Sequence, residues 1–391
     1  MQTLSFNPVP LARHLRRRLL ASALALALVP VSGCALFGDD AAAPPPYPAA
    51  QQPDTARLLW KNTRGGDALP GFRPALTSRG LWVMDERGRV RLLGLKDGRE
   101  LSSFRIDSKT IAGIDADEEL LVLVNRDGTV IGLDAQGKQR WMTPLKGEVT
   151  TAPVITDTVV LVRTVEGRVV ALERGGGTVR WSWQAPNALL TLRQSSPMVV
   201  DGDTVYLGLP QARLVALDVR FGAPRWESTI ASSLGATELE RLIDVVGAPV
   251  LMEDRLCAVA YQGRVACVSA YDGETAWSRA LSSSAGLAAA SDALVLIDSG
   301  EVVQMIRPGG GTVWRQEGYV RRRLTAPVVA DQDRVLFGDS HGRLSVLSLT
   351  DGRTLAGIDV DDSAFATPPR VADGIAYVQT LDGTVAAIEL R

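Results

Sequence analysis

A segment of about 42 residues is repeated along this chain, and the repeat constrains the fold more than any other feature. In the clearest copy, residues 159–181, two apolar runs flank a Glu166-Gly167 turn, and a second glycine turn leads to Trp181. This order predicts two strands joined by a hairpin, followed by a turn and a further strand. The period is typical of four-stranded propeller blades and differs from the periods of helical and leucine-rich repeats.

The first turn of each copy has one marker residue, in the order Gly88, Gly128, Gly167, Ala212, Gly263, Gly300, Gly342 and Gly383. The sequence therefore predicts an all-β fold, an eight-bladed β-propeller of four-stranded antiparallel blades. A content of 37 glycines and 21 prolines fits such a turn-rich protein.

Aromatic residues follow the second turn of the repeat at a fixed distance. Four residues after its glycine stand five tryptophans, Trp141, Trp181, Trp226, Trp277 and Trp314. Large rings at one place in each sheet fill the wedge between neighbouring blades of a radial stack. We therefore expect these rings to be core residues rather than a ligand cage.

The last copy of the repeat ends early. Its hairpin, residues 375–378 and 385–390, has no tryptophan strand after it, whereas residues 57–60 precede the first copy and resemble that missing strand. Pairing of this N-terminal strand with the last blade would remove the two exposed sheet edges of an open array. The sequence thus predicts one closed ring over residues 57–391.

The first 33 residues have the three parts of a secretory signal: a basic stretch at 13–18, an apolar run over 19–31 and small residues before a cysteine. Residues 31–34 resemble a bacterial lipobox, in which the cysteine is lipidated and becomes the new N-terminus. We therefore expect residues 1–33 to be removed, Cys34 to carry the lipid and, by the rule for this signal class, Ala35 to direct the protein to the outer membrane. Residues 34–56 are rich in proline and predict an extended, poorly packed tether.

The residue inventory argues against catalysis, metal binding and nucleic-acid binding. The formal net charge is −2, without the basic stripe that a phosphate backbone requires. The only histidines are His14, in the predicted signal, and His341, in a turn, so neither a histidine metal cluster nor a Ser/His/Asp triad can be assembled. No phosphate-binding glycine loop opens a helix. We expect no catalytic residue, no metal and no cofactor.

Two further cysteines, Cys257 and Cys267, lie on the two arms of the fifth hairpin, where antiparallel pairing sets them nearly opposite. A secreted protein can keep a disulfide, but the bond demands particular geometry. The sequence leaves a cross-strand disulfide and two buried thiols as alternatives.

Two links between blades, after Trp181 and after Trp226, are longer than the others and emerge on the same rim of the ring. Their leucines are flanked by Arg193 and Asp244, a composition typical of a protein-binding patch. The alternative is that the leucines begin the inner strand of the next blade. A third link on this rim contains residues 321–323, three arginines, which form either a solvated turn or a contact with a partner or lipid headgroups.

The repeat, with its xPVV, VYLG, VxALD and Gly-x-x-x-Trp elements, resembles the propeller repeat of the pyrroloquinoline-quinone dehydrogenases. Those enzymes have an adjacent cysteine pair and acidic calcium ligands, and this chain has no adjacent cysteines. The resemblance therefore implies a shared scaffold rather than shared chemistry.

From the lipobox to Arg391 the chain also resembles the BamB family of outer-membrane β-barrel assembly lipoproteins. Residues 190–193 and 237–245 are similar to two loops of that family, LxLR and TEIDRLxDVD, which dock on the periplasmic POTRA domains of BamA, the barrel-forming subunit. The resemblance implies a partner-binding site made of Leu190, Leu192, Arg193, Asp244 and Arg241. Val246 stands where the family has a second aspartate.

The function that the resemblance implies is a non-catalytic lipoprotein scaffold, lipid-anchored at the periplasmic face of the outer membrane, that assists insertion of β-barrel proteins. Nascent outer-membrane proteins are additional candidate partners, since exposed blade edges can receive an extended strand. The alternatives are a quinoprotein-like propeller enzyme and a scaffold lipoprotein of another envelope complex.

Overall fold

The computed structural model describes residues 43–149, 151–186, 190–192, 196–232, 237 and 239–391. The predicted signal peptide, Cys34 and Arg193 lie outside the described residues. No helix in these ranges is both long enough and apolar enough to cross a membrane.

Eight four-stranded antiparallel sheets form the blades of a propeller, which confirms the predicted fold. The first four blades contain β2 (Ala75–Thr77), β3 (Gly80–Met84), β4 (Arg89–Leu93) and β5 (Glu100–Arg105); β6 (Thr110–Ala116), β7 (Leu121–Asn125), β8 (Thr129–Leu133) and β9 (Gln139–Pro144); β10 (Val154–Ile155), β11 (Val159–Arg163), β12 (Arg168–Glu173) and β13 (Val179–Gln184); and β14 (Val199–Asp201), β15 (Thr204–Leu209), β16 (Arg213–Asp218) and β17 (Pro224–Thr229).

Blades 5 to 8 follow the same order, except that blade 8 takes its fourth strand from the beginning of the chain. They contain β18 (Val245–Met252), β19 (Arg255–Ala260), β20 (Arg264–Ser269) and β21 (Thr275–Ala280); β22 (Gly286–Ala290), β23 (Ala293–Ile297), β24 (Val303–Ile306) and β25 (Thr312–Gln316); β26 (Val328–Val329), β27 (Arg334–Gly338), β28 (Arg343–Ser348) and β29 (Thr354–Asp359); and β30 (Arg370–Ala372), β31 (Ile375–Gln379), β32 (Val385–Leu390) and β1 (Ala56–Asn62).

The hydrophobic pattern of each strand follows its place in the blade. β11, a second strand, is buried along its whole length because neighbouring blades cover both of its faces. β13, a fourth strand, lies at the outside and is mostly exposed, with Trp181 as its buried residue. Continuous apolar runs therefore mark the inner strands, and an isolated tryptophan marks the outer strand.

The tryptophans join consecutive blades. Trp181 donates its indole N–H to the carbonyl oxygen of Val219 in the next blade, at 2.9 Å. A Cβ added at Gly222 would overlap the Trp181 ring, so this turn glycine makes room for the indole. The same indole-to-carbonyl bond recurs in the pairs Trp60–Leu95, Trp141–Arg174, Trp226–Ala270 and Trp314–Leu349.

The ring closes as the sequence predicts. β1 pairs with β32 from Ala56 opposite Leu390 to Asn62 opposite Val385. The first and last strands of the propeller thus complete one sheet, which leaves no gap in the sequence of blades.

The residues that precede β1 pack against the ring, so the prediction of a poorly packed tether is wrong for the described part of that segment. We name residues 43–55 the N-terminal strap. The Tyr47 ring lies under the guanidinium of Arg322, at 3.4 Å from its carbon, and the Tyr47 hydroxyl donates to Asp339 Oδ2 at 2.5 Å. Further along, the N–H groups of Gln51 and Gln52 donate to carbonyl oxygens of β29 at 3.0 and 2.9 Å.

The prolines keep the strap extended, while the Tyr47 ring and the backbone N–H groups of the strap contact blades 6 and 7. A 3-10 turn, Pro53–Thr55, then leads into β1. The contact with Tyr47 gives Arg322 a role that neither alternative for residues 321–323 contains, while Arg321 and Arg323 are exposed. Arg322 is buried rather than solvated.

In the fifth blade, Cys257 and Cys267 are directly opposite in the pairing of β19 with β20. Of the two alternatives that the sequence leaves open, the structure has the disulfide, with the sulfur atoms 2.07 Å apart. The bond joins two inner strands inside the core.

Candidate functional site

The two long links lie side by side on one rim of the propeller. The first, residues 185–198, joins blade 3 to blade 4, and the second, residues 230–244, joins blade 4 to blade 5. The Leu192 N–H of the first link donates to Asp244 Oδ2 of the second at 2.5 Å. Each link joins the outer strand of one blade to the first strand of the next blade. Because blades 3, 4 and 5 are consecutive, the repeat places the two links side by side.

Asp244 holds several segments of this rim. Its Oδ1 accepts a hydrogen bond from the Gln211 N–H at 3.2 Å, and its carbonyl oxygen accepts one from the Tyr261 N–H at 2.8 Å. Gln211 and Ala212 have φ of 60° and 51°, the left-handed region that turn glycines occupy in other blades. Asp244 thus stabilises a strained turn as well as both links.

The Asp244 carboxylate faces the protein rather than the solvent. The residue is 4% exposed. Burial raises the pKa of its carboxyl group, while the hydrogen bonds from Leu192 and Gln211 and the charge of Arg163 act in the opposite direction. This arrangement differs from the prediction that Asp244 itself offers charge to a partner, because both carboxylate oxygens already accept backbone N–H groups.

The leucines of the two links divide between surface and core. Leu190 and Leu239 are 47% and 67% exposed. Leu192 packs, half-buried, against a cluster that includes Val246 and Leu287. Each of the two alternatives from the sequence therefore applies to some of these residues, and the position of the family's second aspartate, Val246, lies in the core.

Among the described residues of the second link, an exposed turn has its own side-chain caps. The Thr237 N–H donates to Glu240 Oε2 at 3.1 Å, and the Glu240 N–H donates to the Thr237 hydroxyl oxygen at 3.2 Å. This reciprocal pair is the capping-box arrangement expected for a Thr-x-x-Glu sequence. The turn presents Leu239 and Arg241, both exposed.

Arg163 is a residue of this rim that the sequence interpretation missed. It is the last residue of β11, it is 5% exposed, and its Nη1 donates to the Ser196 carbonyl oxygen at 2.7 Å. Burial lowers the pKa of its guanidinium to about 10, against the opposing effect of Asp244. One signal was available, since every other second strand ends in an uncharged residue: Met84, Asn125, Leu209, Ala260, Ile297, Gly338 and Gln379.

A cavity of about 310 Å³ separates the first link from the turns of blades 3 and 4. Arg163, Thr191, Leu192, Pro210 and Asp244 are among its lining residues. Within the described ranges, no three His, Cys, Asp or Glu side chains are grouped closely enough to hold a metal ion. The rim therefore has exposed leucines, a buried arginine and a cavity, features that can bind another molecule.

Comparisons with known proteins show the family of the chain. The family model for the outer membrane protein assembly factor BamB matches residues 86–306 and 298–391. Outer membrane protein assembly factor BamB of Bordetella pertussis is 34% identical over 366 residues, which cover 92% of this chain and 94% of that protein.

Two solved structures show the same architecture. The crystal structure of BamB from Moraxella catarrhalis has a TM-score of 0.77 at 23% identity, and the match covers 85% of this chain and 99% of that chain. Quinohemoprotein alcohol dehydrogenase from Comamonas testosteroni has a TM-score of 0.65 at 13% identity, over 88% of this chain and 78% of that chain. At these identities the two structures show the fold alone. The family match and the Bordetella relative show more: the chain belongs to the BamB family of outer membrane protein assembly factors.

Proposed function

We propose that this protein is a non-catalytic, lipid-anchored subunit of the machinery that assembles β-barrel proteins in the outer membrane. Family membership supports the assembly role, since relatives that match nearly the whole chain are named outer membrane protein assembly factors. The lipobox ending at Cys34 supports an anchor at the periplasmic face. The binding character of the rim, described above, supports a role without turnover.

The docking surface is the rim formed by the two long links, and its partner is the POTRA region of BamA, the barrel-forming subunit. The hydrogen bond between Leu192 and Asp244 carries this proposal, because it fixes both links on a rigid ring. Leu190 and Leu239 project as apolar anchors. Arg241, which is exposed, and Arg193, which follows Leu192 in the sequence, supply charge, and Asp244 acts by holding the links in place. Apolar anchors within a polar margin are the usual composition of such interfaces.

A binding measurement with matched surface variants tests the proposal. The lipoprotein, purified in detergent, is titrated with a POTRA fragment of the BamA from the same organism, and Kd is measured by calorimetry. We expect Leu190→Asp and Arg193→Ala each to weaken binding about tenfold or more, since central anchors contribute on the order of 1–2 kcal/mol. Val179→Asp is the control, because Val179 is similarly exposed, at 53%, but lies on the outer strand β13.

Wild-type affinity in both Leu190→Asp and Arg193→Ala would show that this rim is not the docking surface. Loss of affinity in Val179→Asp as well would indicate contact along the outer strands instead. Asp244→Ala should also weaken binding, although Asp244 is buried, because the two links lose the hydrogen bond that joins them.

A further inference from the structure

Arg163 is a buried cation for which the described part of the chain supplies little compensation. Its guanidinium donates there to the Ser196 carbonyl oxygen, while its buried Nε–H has no acceptor. Arginine side chains are almost never fully buried unless they are paired, because loss of hydration disfavours the charge. A negatively charged group beside Arg163 would remove this deficit.

Asp244 does not fill that role. It is the acidic residue whose charge acts on Arg163, yet its carboxylate makes no ion pair with the guanidinium. Both of its oxygens accept backbone N–H groups, from Leu192 and Gln211, and those bonds hold the rim together. A move of Asp244 toward Arg163 would release these N–H groups, so Asp244 leaves the position beside the guanidinium open to an anion from another source.

The cavity beside Arg163 provides the route. Its volume of about 310 Å³ exceeds that of an acidic side chain, and Arg163 forms part of its wall together with both long links. We infer that Arg163 is the receptor for the carboxylate of an aspartate or glutamate that the docking partner inserts into this cavity, between the first link and the turns of blades 3 and 4. This inference rests on the proposed function, and it names the chemistry that the rim selects.

The physical properties of the pair fit this assignment. A guanidinium presents two parallel N–H groups that match a carboxylate, and the buried position strengthens their attraction because little water screens it. A partner with an amide at the same position would leave the cation uncompensated. The site thus contributes specificity by favouring an acid over an isosteric amide.

The first test separates recognition from folding. Binding of the POTRA fragment is measured for Arg163→Met, which removes the charge but keeps the length, for Arg163→Lys, and for Arg126→Met, an exposed arginine on the same rim. We expect Arg163→Met to weaken binding at least tenfold, Arg163→Lys to restore part of it and Arg126→Met to match the wild type. The thermal midpoint of Arg163→Met should be equal to or above that of the wild type, because an uncompensated buried charge has been removed.

The second test identifies the partner's acid. Each aspartate and glutamate of the fragment is changed in turn to its amide. One such change should weaken wild-type binding about tenfold and have no further effect on Arg163→Met. If no amide variant behaves in this way, or if Arg163→Met binds like the wild type, Arg163 is not a carboxylate receptor.

The third test does not depend on the partner. Sodium acetate at 0.2 M, compared with sodium chloride at equal ionic strength, should raise the thermal midpoint of the wild type and Arg126→Met by about 1 °C, and that of Arg163→Met by less. A selective acetate shift without POTRA binding would retain the receptor and reject the proposed partner. Equal acetate shifts in all three proteins would overturn the receptor even if the fragment binds.

Discussion

Two buried arginines lie on the same rim of the ring, and the chain surrounds them differently. Arg322, 6% exposed, has the Tyr47 ring of the N-terminal strap over its guanidinium and donates through Nη2 to the Pro45 carbonyl oxygen. Arg163, 5% exposed, faces a cavity between the first link and the turns of blades 3 and 4. One cation is covered by a segment of its own chain, whereas no described segment covers the other in this way.

The comparison indicates what a cover for such a cation consists of. Around Arg322, an aromatic face and a carbonyl oxygen from the strap contact the guanidinium, although its Nε–H has no acceptor there, as at Arg163. The strap reaches this position although Tyr47 and Asp339 are separated by 292 residues. A peptide segment from a partner could do the same at Arg163, where the loops already form the walls.

Removal of the Tyr47 side chain, which covers Arg322, should have the largest effect on stability. We expect Tyr47→Ala to lower the free energy of unfolding by about 2 kcal/mol, since it removes a cation–π contact, a hydrogen bond and buried aromatic area. Urea denaturation measures the change. Tyr271→Ala is the control, because Tyr271 is 90% exposed. Equal losses in the two variants would mean that the strap adds nothing to the stability of the ring.

The two arginines should respond in opposite directions to the same substitution. Arg322→Met should lower the free energy of unfolding by about 1 kcal/mol, because its cover loses the charge that it binds, whereas Arg163→Met should not lower it. In a double-mutant cycle, Tyr47→Ala and Arg322→Met should be less than additive, which assigns the loss to their contact. Destabilisation of similar size at Arg163 would end the contrast between the two sites.

A smaller effect is expected from the pH dependence of Asp244. Burial raises the pKa of its carboxyl group in the folded protein, so protonation favours folding. The contribution of Asp244 to stability is therefore fully present below its unfolded pKa of about 4 and is lost as the pH rises through the higher folded pKa. The stability of the wild type relative to Asp244→Asn should decline as the pH rises above about 4, as urea denaturation at several pH values can measure.

Asp331 provides the matched comparison. The pKa of its carboxyl group is lowered. Burial alone would raise that pKa, but the hydrogen bond and charge of Arg334 and the backbone N–H groups have the larger effect. Its contribution is present above the unfolded pKa and is lost as the pH falls through the lower folded value. Asp331→Asn should therefore give the opposite trend with pH, and parallel trends in the two variants would contradict the assignment for Asp244.

The architecture could be predicted from the sequence because the same local pattern recurs in each blade. The turn marker, the apolar inner strands and the tryptophan recur in order, so errors in one copy are corrected by the others. Closure could be predicted as well, since the strand that the last copy lacks is present before the first. The position of the long links on one rim followed from strand order alone.

The details of the site depend on contacts that a local pattern does not contain. Asp244 resembles an exposed recognition residue in sequence, but it is buried because N–H groups from Leu192 and Gln211 converge on it. Arg163 differs from the last residue of every other second strand, and that difference acquires meaning only beside a cavity. In the strap, proline content indicated an extended backbone but not the surface on which it packs.

The pairing of β1 with β32 has a consequence for folding during synthesis of the chain. At roughly 5–20 residues per second, synthesis from Ala56 to Leu390 takes on the order of half a minute, and the partner of the earliest strand is made last. Throughout that interval β1 has bare backbone groups that any extended peptide could pair with. The eighth blade, and with it the closed ring, can therefore form only after β32 has been made.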